Sequence, residues 1–168
     1  MKTIVQPSKL SKRGKLVNTQ HVDQLVSHYK KERWVQNSRS IGKVDSLSTW
    51  YGMDELQSFL DLAKENQADG IKMYYGVYPA DYAEPELCGR QTVVLVATKQ
   101  KETSNGIVNK EIYRSRNGKP EILAFNFGTI CPPFCSTGLP PDGDGAFGFD
   151  MSSVGISIIE KDGKIIIA

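Results

Sequence analysis

The sequence predicts an α+β domain in which two N-terminal helices pack on a mostly antiparallel sheet of about six strands. Apolar residues recur with helical spacing in the first part of the chain and at alternate positions from residue 71 onward. Asn-Gly and Asp-Gly pairs, which favour tight hairpin turns, separate the later extended segments. A long loop over residues 126–150, rich in Pro and Gly, interrupts these strands.

The first helix is predicted from Thr19 to Trp34, with Asn18 or Thr19 as its N-cap. Its apolar residues lie at helical spacing and form one stripe, which we expect to be buried. The members of this stripe are Val22, Leu25, Val26 and Tyr29. A short extended segment is predicted to follow over residues 40–44.

The second helix is predicted from Met53 to Gln67 and also carries its apolar residues on one face. These residues are Leu56, Phe59, Leu60 and Ala63. Gly52 can cap the start of this helix, because Glu55 stands three residues further on and can reach back to it.

The other predicted elements are strands joined by turns. They cover residues 71–78, 92–98, 110–115, 121–125, 154–160 and 164–168. The second of these is apolar on both faces, which is typical of a central strand. Asn117-Gly118 connects the third strand to the fourth, and Asp162-Gly163 connects the fifth to the sixth.

The composition is that of an ordinary soluble globular protein, and 168 residues suit one domain. We expect residues 1–17 to form a flexible basic lead-in and residues 18–168 to form a single α+β domain. A net charge of +2 does not favour nucleic acid as a partner. No apolar stretch is long enough to cross a membrane and the N-terminus does not resemble a secretory signal, so we expect a cytoplasmic protein with reduced cysteines.

Four short motifs follow one another between residues 48 and 135. They are STWY before the second helix, GIKMYYGVYP in the first strand, TVVLVAT in the second strand and NFGTICPPFC. This ordered set resembles a group of uncharacterised proteins from Bacteroidetes-type bacteria, which share an aromatic helix start, a glycine- and tyrosine-rich strand and a cysteine–proline element. The resemblance covers residues 20–135 and implies no catalytic role, because no activity is established for that group.

Cys131 and Cys135 flank a Pro-Pro-Phe segment and allow three interpretations. A thiolate pair can bind zinc, which takes four ligands, and Cys88 and His21 would then complete the site. The pair can instead be a redox-active dithiol, although its spacing is one residue longer than C-x-x-C. It can also be two structural cysteines in a turn that the prolines rigidify with a cis bond. We expect no cofactor other than this zinc.

Binding residues are predicted in two places. Tyr74 and Tyr78 share one strand face on either side of a glycine, which leaves room for a ligand. The alternative is that these two rings belong to the core. In the long loop, Phe134 is a further candidate, and Asp142 and Asp144 alternate with glycine like the start of a calcium loop whose later ligands are not matched.

The chain contains none of the common enzyme fingerprints, such as GxSxG, HExxH, Walker A or GxGxxG, so catalytic residues stay unassigned. We therefore interpret it as a small soluble binding or protein-interaction module whose partner is a protein or a small ligand. The sequence also allows a homodimer. Two alternatives are a metal-dependent or thiol-based enzyme centred on Cys131 and Cys135, and an immunity-type protein that neutralises a toxin.

Overall fold

The computed structural model describes residues 14–134, 158–161 and 164–167. Most of the predicted lead-in therefore lies outside the described residues. The contacts divide the chain into two compact units, which are described one at a time. Unit 1 is built from Gly52–Tyr74 and Val94–Asn126, and unit 2 from Leu16–Tyr51, Tyr75–Val93 and the chain from Phe127 onward. The fold class is α+β, as the sequence predicts.

The helices are α1 (Thr19–Tyr29), α2 (Val35–Ile41) and α3 (Met53–Glu65), and a π-helical turn (Lys30–Trp34) joins α1 to α2. Ten strands are present among the described residues. They are β1 (Ser48–Trp50), β2 (Gly70–Val77), β3 (Gln91–Thr103), β4 (Gly106–Glu111), β5 (Tyr113–Arg116), β6 (Lys119–Ile122), β7 (Ala124–Phe125), β8 (Thr129–Cys131), β9 (Ile158–Lys161) and β10 (Lys164–Ile167). Strand β3 is central, because it lies between β2 and β4 and also pairs with β7.

Unit 1 is built around α3, whose buried residues are Phe59 and Ala63. The Phe59 ring stacks on the Phe125 ring of β7 with the centroids 5.2 Å apart. The predicted cap is confirmed, because the Gly52 N–H donates to Glu55 Oε2 at 2.7 Å. The predicted apolar stripe is thus buried at its centre, while Leu60 is 37% exposed.

The predicted Asn117-Gly118 turn is confirmed and joins β5 to β6 in an antiparallel hairpin. Both turn residues have positive φ, 53° for Asn117 and 75° for Gly118, as a type I′ turn requires. The strand predicted over residues 110–115 is wrong in one respect, because Ile112 separates β4 from β5. Its N–H still donates to the Ala97 carbonyl of β3, but its own carbonyl accepts from the Leu123 N–H, so the two sides of Ile112 bond different segments.

In unit 2 the first helical segment is longer than predicted. It runs without interruption from Thr19 to Ile41 through the π-helical turn, so the extended segment predicted over residues 40–44 is wrong. Gly42, in the left-handed conformation with φ 68°, ends the helix. At the other end the predicted cap is confirmed, since the Asn18 side chain accepts the His21 N–H at 3.0 Å.

The core of unit 2 is organised by Trp34 and Asp45. Trp34 is buried and packs against Tyr29, Val35, Val44 and Leu47. Its indole Nε1 donates to the Asp45 carbonyl at 2.8 Å, and the Asp45 N–H donates to Ser38 Oγ at 2.9 Å. The Asp45 side chain is also buried, and its Oδ1 accepts the N–H groups of Ser46 and Gln91, both at 2.7 Å. One residue therefore ties the helix to the start of β3.

A short antiparallel ribbon of β1 and β8, which the sequence did not predict, completes the described core of unit 2. Gly128, just before β8, lies so close to Tyr51 and Thr49 that a Cβ atom would come within 2.5 Å and 2.6 Å of their side chains. The Cys131–Pro132 and Pro132–Pro133 peptide bonds after the ribbon are cis. The predicted C-terminal hairpin is confirmed in its backbone, since β9 and β10 pair antiparallel.

We expect Asp45→Ala to lower the free energy of unfolding by about 3 kcal/mol, because it leaves two buried N–H groups without an acceptor. Asp45→Asn keeps an acceptor oxygen of the same size but removes the charge, and should cost about 1 kcal/mol. Urea unfolding followed by tryptophan fluorescence measures both effects, since Trp34 is buried beside Asp45.

The matched control is Asp61→Ala, which removes an exposed carboxylate of α3 that pairs with Lys64 at 3.0 Å. Exposed pairs of this kind add little to stability, so its unfolding midpoint should equal that of the parent protein. If Asp45→Ala unfolds at the same urea concentration as this control, Asp45 does not organise the core.

Candidate functional site

Unit 2 contains an open cleft of about 380 Å³ with mainly apolar walls. One wall is α1, and the others come from residues 46–49, β2 and the start of β3. The lining residues are Leu25, Val26, Tyr29, Ser46, Leu47, Ser48, Thr49, Tyr75, Gln91 and Val93. A volume of this size lies within the range of protein clefts that hold small molecules.

The apolar stripe of α1 contributes to a wall of this cleft. The sequence predicted that the stripe is buried, and this prediction is wrong, because α1 has no buried residue. Leu25 is 58% exposed and Val22 is 41% exposed. Leu25, Val26 and Tyr29 border an open cleft that no described side chain fills, and the stripe meets the core through Tyr29, which packs against Trp34.

The polar groups of the cleft include Tyr29 and Gln91. The Tyr29 hydroxyl donates to Gln91 Oε1 at 2.6 Å, which leaves the N–H groups of the Gln91 amide for other partners. Burial raises the pKa of Tyr29 from its usual value of 10.0, and the nearby Asp45 and Tyr75 raise it further. Tyr29 therefore stays protonated at neutral pH and remains a hydrogen-bond donor.

Ser46 is a further polar residue of the lining. It is 2% exposed, and its hydroxyl oxygen has no hydrogen-bond partner in the part of the chain that the structure describes. Its backbone is held in place, because the Ser46 N–H donates to Asp45 Oδ1. Buried hydroxyl groups are nearly always hydrogen-bonded, so a free one in the lining of a cleft indicates a missing partner.

Sequence reasoning missed Ser46 and Gln91, because neither belongs to a recognisable motif. One signal was available for Gln91, which is a polar residue directly before an apolar central strand. A polar side chain at the start of such a strand is partly removed from water and needs a hydrogen-bond partner. Ser46 carried no comparable signal, since serine in a loop is ordinary.

Tyr74, one of the predicted binding residues, lies in unit 1 and takes part in an ion-pair cluster. Its hydroxyl donates to Glu111 Oε1 at 2.8 Å, and Lys72 Nζ lies 2.5 Å from the same oxygen. The Lys72 ammonium is also 5.8 Å from the centre of the Tyr74 ring. Tyr74 is 42% exposed, so part of its ring is still accessible.

Tyr78, the second predicted tyrosine, is a core residue of unit 2 with 5% exposure. Its ring packs against Tyr82 and Phe127, with centroid distances of 4.9 Å and 6.4 Å. Its hydroxyl lies 3.5 Å from the buried Thr92 Oγ1. Tyr78 as placed here offers no exposed surface to a ligand, which matches the alternative interpretation of this residue as core.

The loop candidates are only partly described. Phe134 is 46% exposed, and its N–H donates to the Ile130 carbonyl at 3.0 Å. Asp142 and Asp144 lie outside the described residues, so the structure adds nothing to the prediction of a calcium loop.

The predicted zinc ligands are not brought together in the described part of the chain. Cys131 is disulfide-bonded, which corrects the expectation of reduced cysteines, and a disulfide sulfur is not the thiolate that zinc requires. Cys88 is a free thiol 3.3 Å from the Tyr82 carbonyl, and His21 is exposed on α1. Cys135 lies outside the described residues. Zinc binding stays a prediction that needs Cys131 in its reduced form.

Comparison of the chain with known protein families, with curated protein sequences and with solved structures gave no significant match. None of the described helices is both long and apolar enough to span a membrane.

The Glu111 cluster predicts a pH-dependent stability. The Lys72 ammonium, followed by the Glu111 backbone and Tyr74, lowers the pKa of Glu111 from 4.5 to about 2. The unfolded chain then binds more protons than the folded one in this range. The stabilisation is complete above about pH 4.5 and is lost as the pH falls towards about 2. In Glu111→Gln this part of the pH dependence should disappear, as urea unfolding at a series of acidic pH values can measure.

Two variants separate the causes of this shift. Lys72→Met removes the largest one and should bring the pKa of Glu111 back towards its usual range. Tyr74→Phe removes only one hydroxyl and should have a smaller effect. Equal pH profiles for Lys72→Met and the parent protein would show that the ion pair does not form.

Proposed function

We propose that this protein is a binding module whose cleft in unit 2 takes a small, mainly apolar molecule. The observation that carries this proposal is the open cleft of about 380 Å³ that the apolar stripe of α1 borders. Exposed apolar surface costs free energy in water, and contiguous apolar patches commonly mark binding sites. A ligand in the cleft would cover Leu25 and its neighbours and remove this cost.

The chemistry of the lining supports binding rather than catalysis. Among the described residues that line the cleft there is no carboxylate, histidine, lysine or cysteine to act as an acid, a base or a nucleophile. The titratable side chains there are Tyr29 and Tyr75. Tyr29 has a raised pKa, which makes it a poor proton donor or acceptor at neutral pH.

The other functions predicted from the sequence find no support in the cleft. An enzyme centred on Cys131 and Cys135 stays a prediction: Cys131 is disulfide-bonded, so a metal site or a thiolate nucleophile needs the reduced form, whereas a redox-active dithiol passes through such a disulfide. No contact or charge pattern of the described residues favours a toxin-neutralising protein over any other binding protein. A protein partner, a homodimer and a cytoplasmic location stay predictions, and the disulfide is more typical of an oxidising compartment.

The proposed cleft can be tested with N-phenyl-1-naphthylamine, a neutral apolar dye whose fluorescence rises when it leaves water. The parent protein should bind one dye molecule with saturation. Leu25→Glu places a charge on the cleft wall and should weaken binding at least about tenfold. Because Leu25 is 58% exposed, this variant should still fold, which circular dichroism can verify.

The matched control is Leu16→Glu, which makes the same change on a leucine that is fully exposed and does not line the cleft. It should bind the dye as the parent protein does. If both variants bind equally well, or if both lose binding, the dye sits elsewhere and the proposed site is wrong.

A further inference from the structure

The buried hydroxyl of Ser46 constrains the chemistry of the ligand. Ser46 is one of the residues that line the cleft, and its hydroxyl oxygen is buried and has no hydrogen-bond partner among the described residues. A serine hydroxyl can rotate between staggered positions and can either donate or accept. A ligand atom that bonds Ser46 would replace no existing protein contact, so this bond would be a net gain for the complex.

Gln91 adds a donor to the same lining. Tyr29 donates to its Oε1 atom, so the Gln91 amide must offer its N–H groups to any other partner. Gln91 and Ser46 are also fixed relative to each other, because the backbone N–H groups of both bond the same oxygen of Asp45. The unpaired Ser46 hydroxyl and the Gln91 amide are both positioned by Asp45, and each can donate a hydrogen bond to an acceptor oxygen.

The charges around this polar end favour a neutral acceptor. No cation lines the described cleft, so a carboxylate in the ligand would lose its water without gaining a counter-charge. The negative charge of Asp45 reaches the Tyr29 hydroxyl and is one of the causes that raise its pKa. Arg90, which interacts with Asp45, is 6% exposed and does not line the cleft.

We infer that the cleft takes a neutral molecule with an apolar body and one carbonyl or amide oxygen, which accepts hydrogen bonds from Ser46 and Gln91. This inference rests on the proposed function, since it assumes that the cleft binds a ligand. The apolar body lies along Leu25 and Val93, and the acceptor oxygen lies near Ser46.

Three probes that share the same butylphenyl group test this inference: 4-butylbenzamide, 4-butylbenzoate and butylbenzene. Their dissociation constants can be measured near neutral pH by displacement of N-phenyl-1-naphthylamine. The amide should bind about tenfold more tightly than butylbenzene, because it adds hydrogen bonds to unpaired donors. The benzoate should bind at least about tenfold more weakly than the amide, because its charge is buried without a counter-ion.

Ser46→Ala identifies the group responsible. It should weaken amide binding about tenfold and change butylbenzene binding by less than about twofold. The variant should fold, since it removes a hydroxyl that bonds nothing among the described residues. The matched control is Ser40→Ala, which removes an exposed serine hydroxyl of α2 that does not line the cleft and should leave both affinities unchanged.

The outcomes separate the inference from the proposed function. If none of the three probes binds, the cleft is not a ligand site and both fail. If all three bind, but the benzoate is the tightest or Ser46→Ala leaves the amide unaffected, the cleft binds apolar molecules and only the inferred ligand chemistry is wrong. The inference holds if the amide is preferred and Ser46→Ala alone removes the preference.

Discussion

The buried carboxylate of Asp45 is the interaction on which the architecture of unit 2 depends. A charge in the interior is tolerated only when it is well hydrogen-bonded, and Asp45 meets this condition with two backbone N–H donors. Through its own backbone it also bonds Trp34 and Ser38 of the helical segment. The segment after the helix and the beginning of β3 are therefore fixed to the helix by one residue.

This arrangement explains why the cleft has a defined polar end and open apolar walls. The Asp45 carboxylate accepts hydrogen bonds from the backbone N–H groups of Ser46 and Gln91. The side chains of these two residues are therefore not bonded to Asp45, and both residues line the cleft. The apolar wall of α1 is fixed by the helix, by the packing of Tyr29 against Trp34 and by the hydrogen bond from Tyr29 to Gln91, while Leu25 remains exposed. A site of this kind is largely preformed, so a ligand loses little binding free energy to ordering its side chains.

Features that depend on neighbouring residues were predictable from the sequence. The Asn18 and Gly52 caps, α3 and the Asn117-Gly118 hairpin follow from short-range chemistry and are present. The pairing of β1 with β8 was not predictable, because it joins segments that are distant in the chain and only three residues long. The cleft was missed for the same reason, since helical spacing shows that residues share a face and not what that face meets.

The π-helical turn affects the direction in which the side chains of the helical segment face. Each residue of an α-helix turns the direction of its side chain by about 100°, and a π-helical turn accommodates one residue more than an α-helical turn. Lys30–Trp34 thereby sets the phase between the exposed stripe of α1 and the buried Trp34 and Ser38. A chain that lacked one residue here would rotate Leu25 and Tyr29 away from Gln91 without any change in composition. The alignment of the cleft walls thus depends on the number of residues in the helical segment. A substitution scan would not detect this dependence, whereas the deletion of a single residue would.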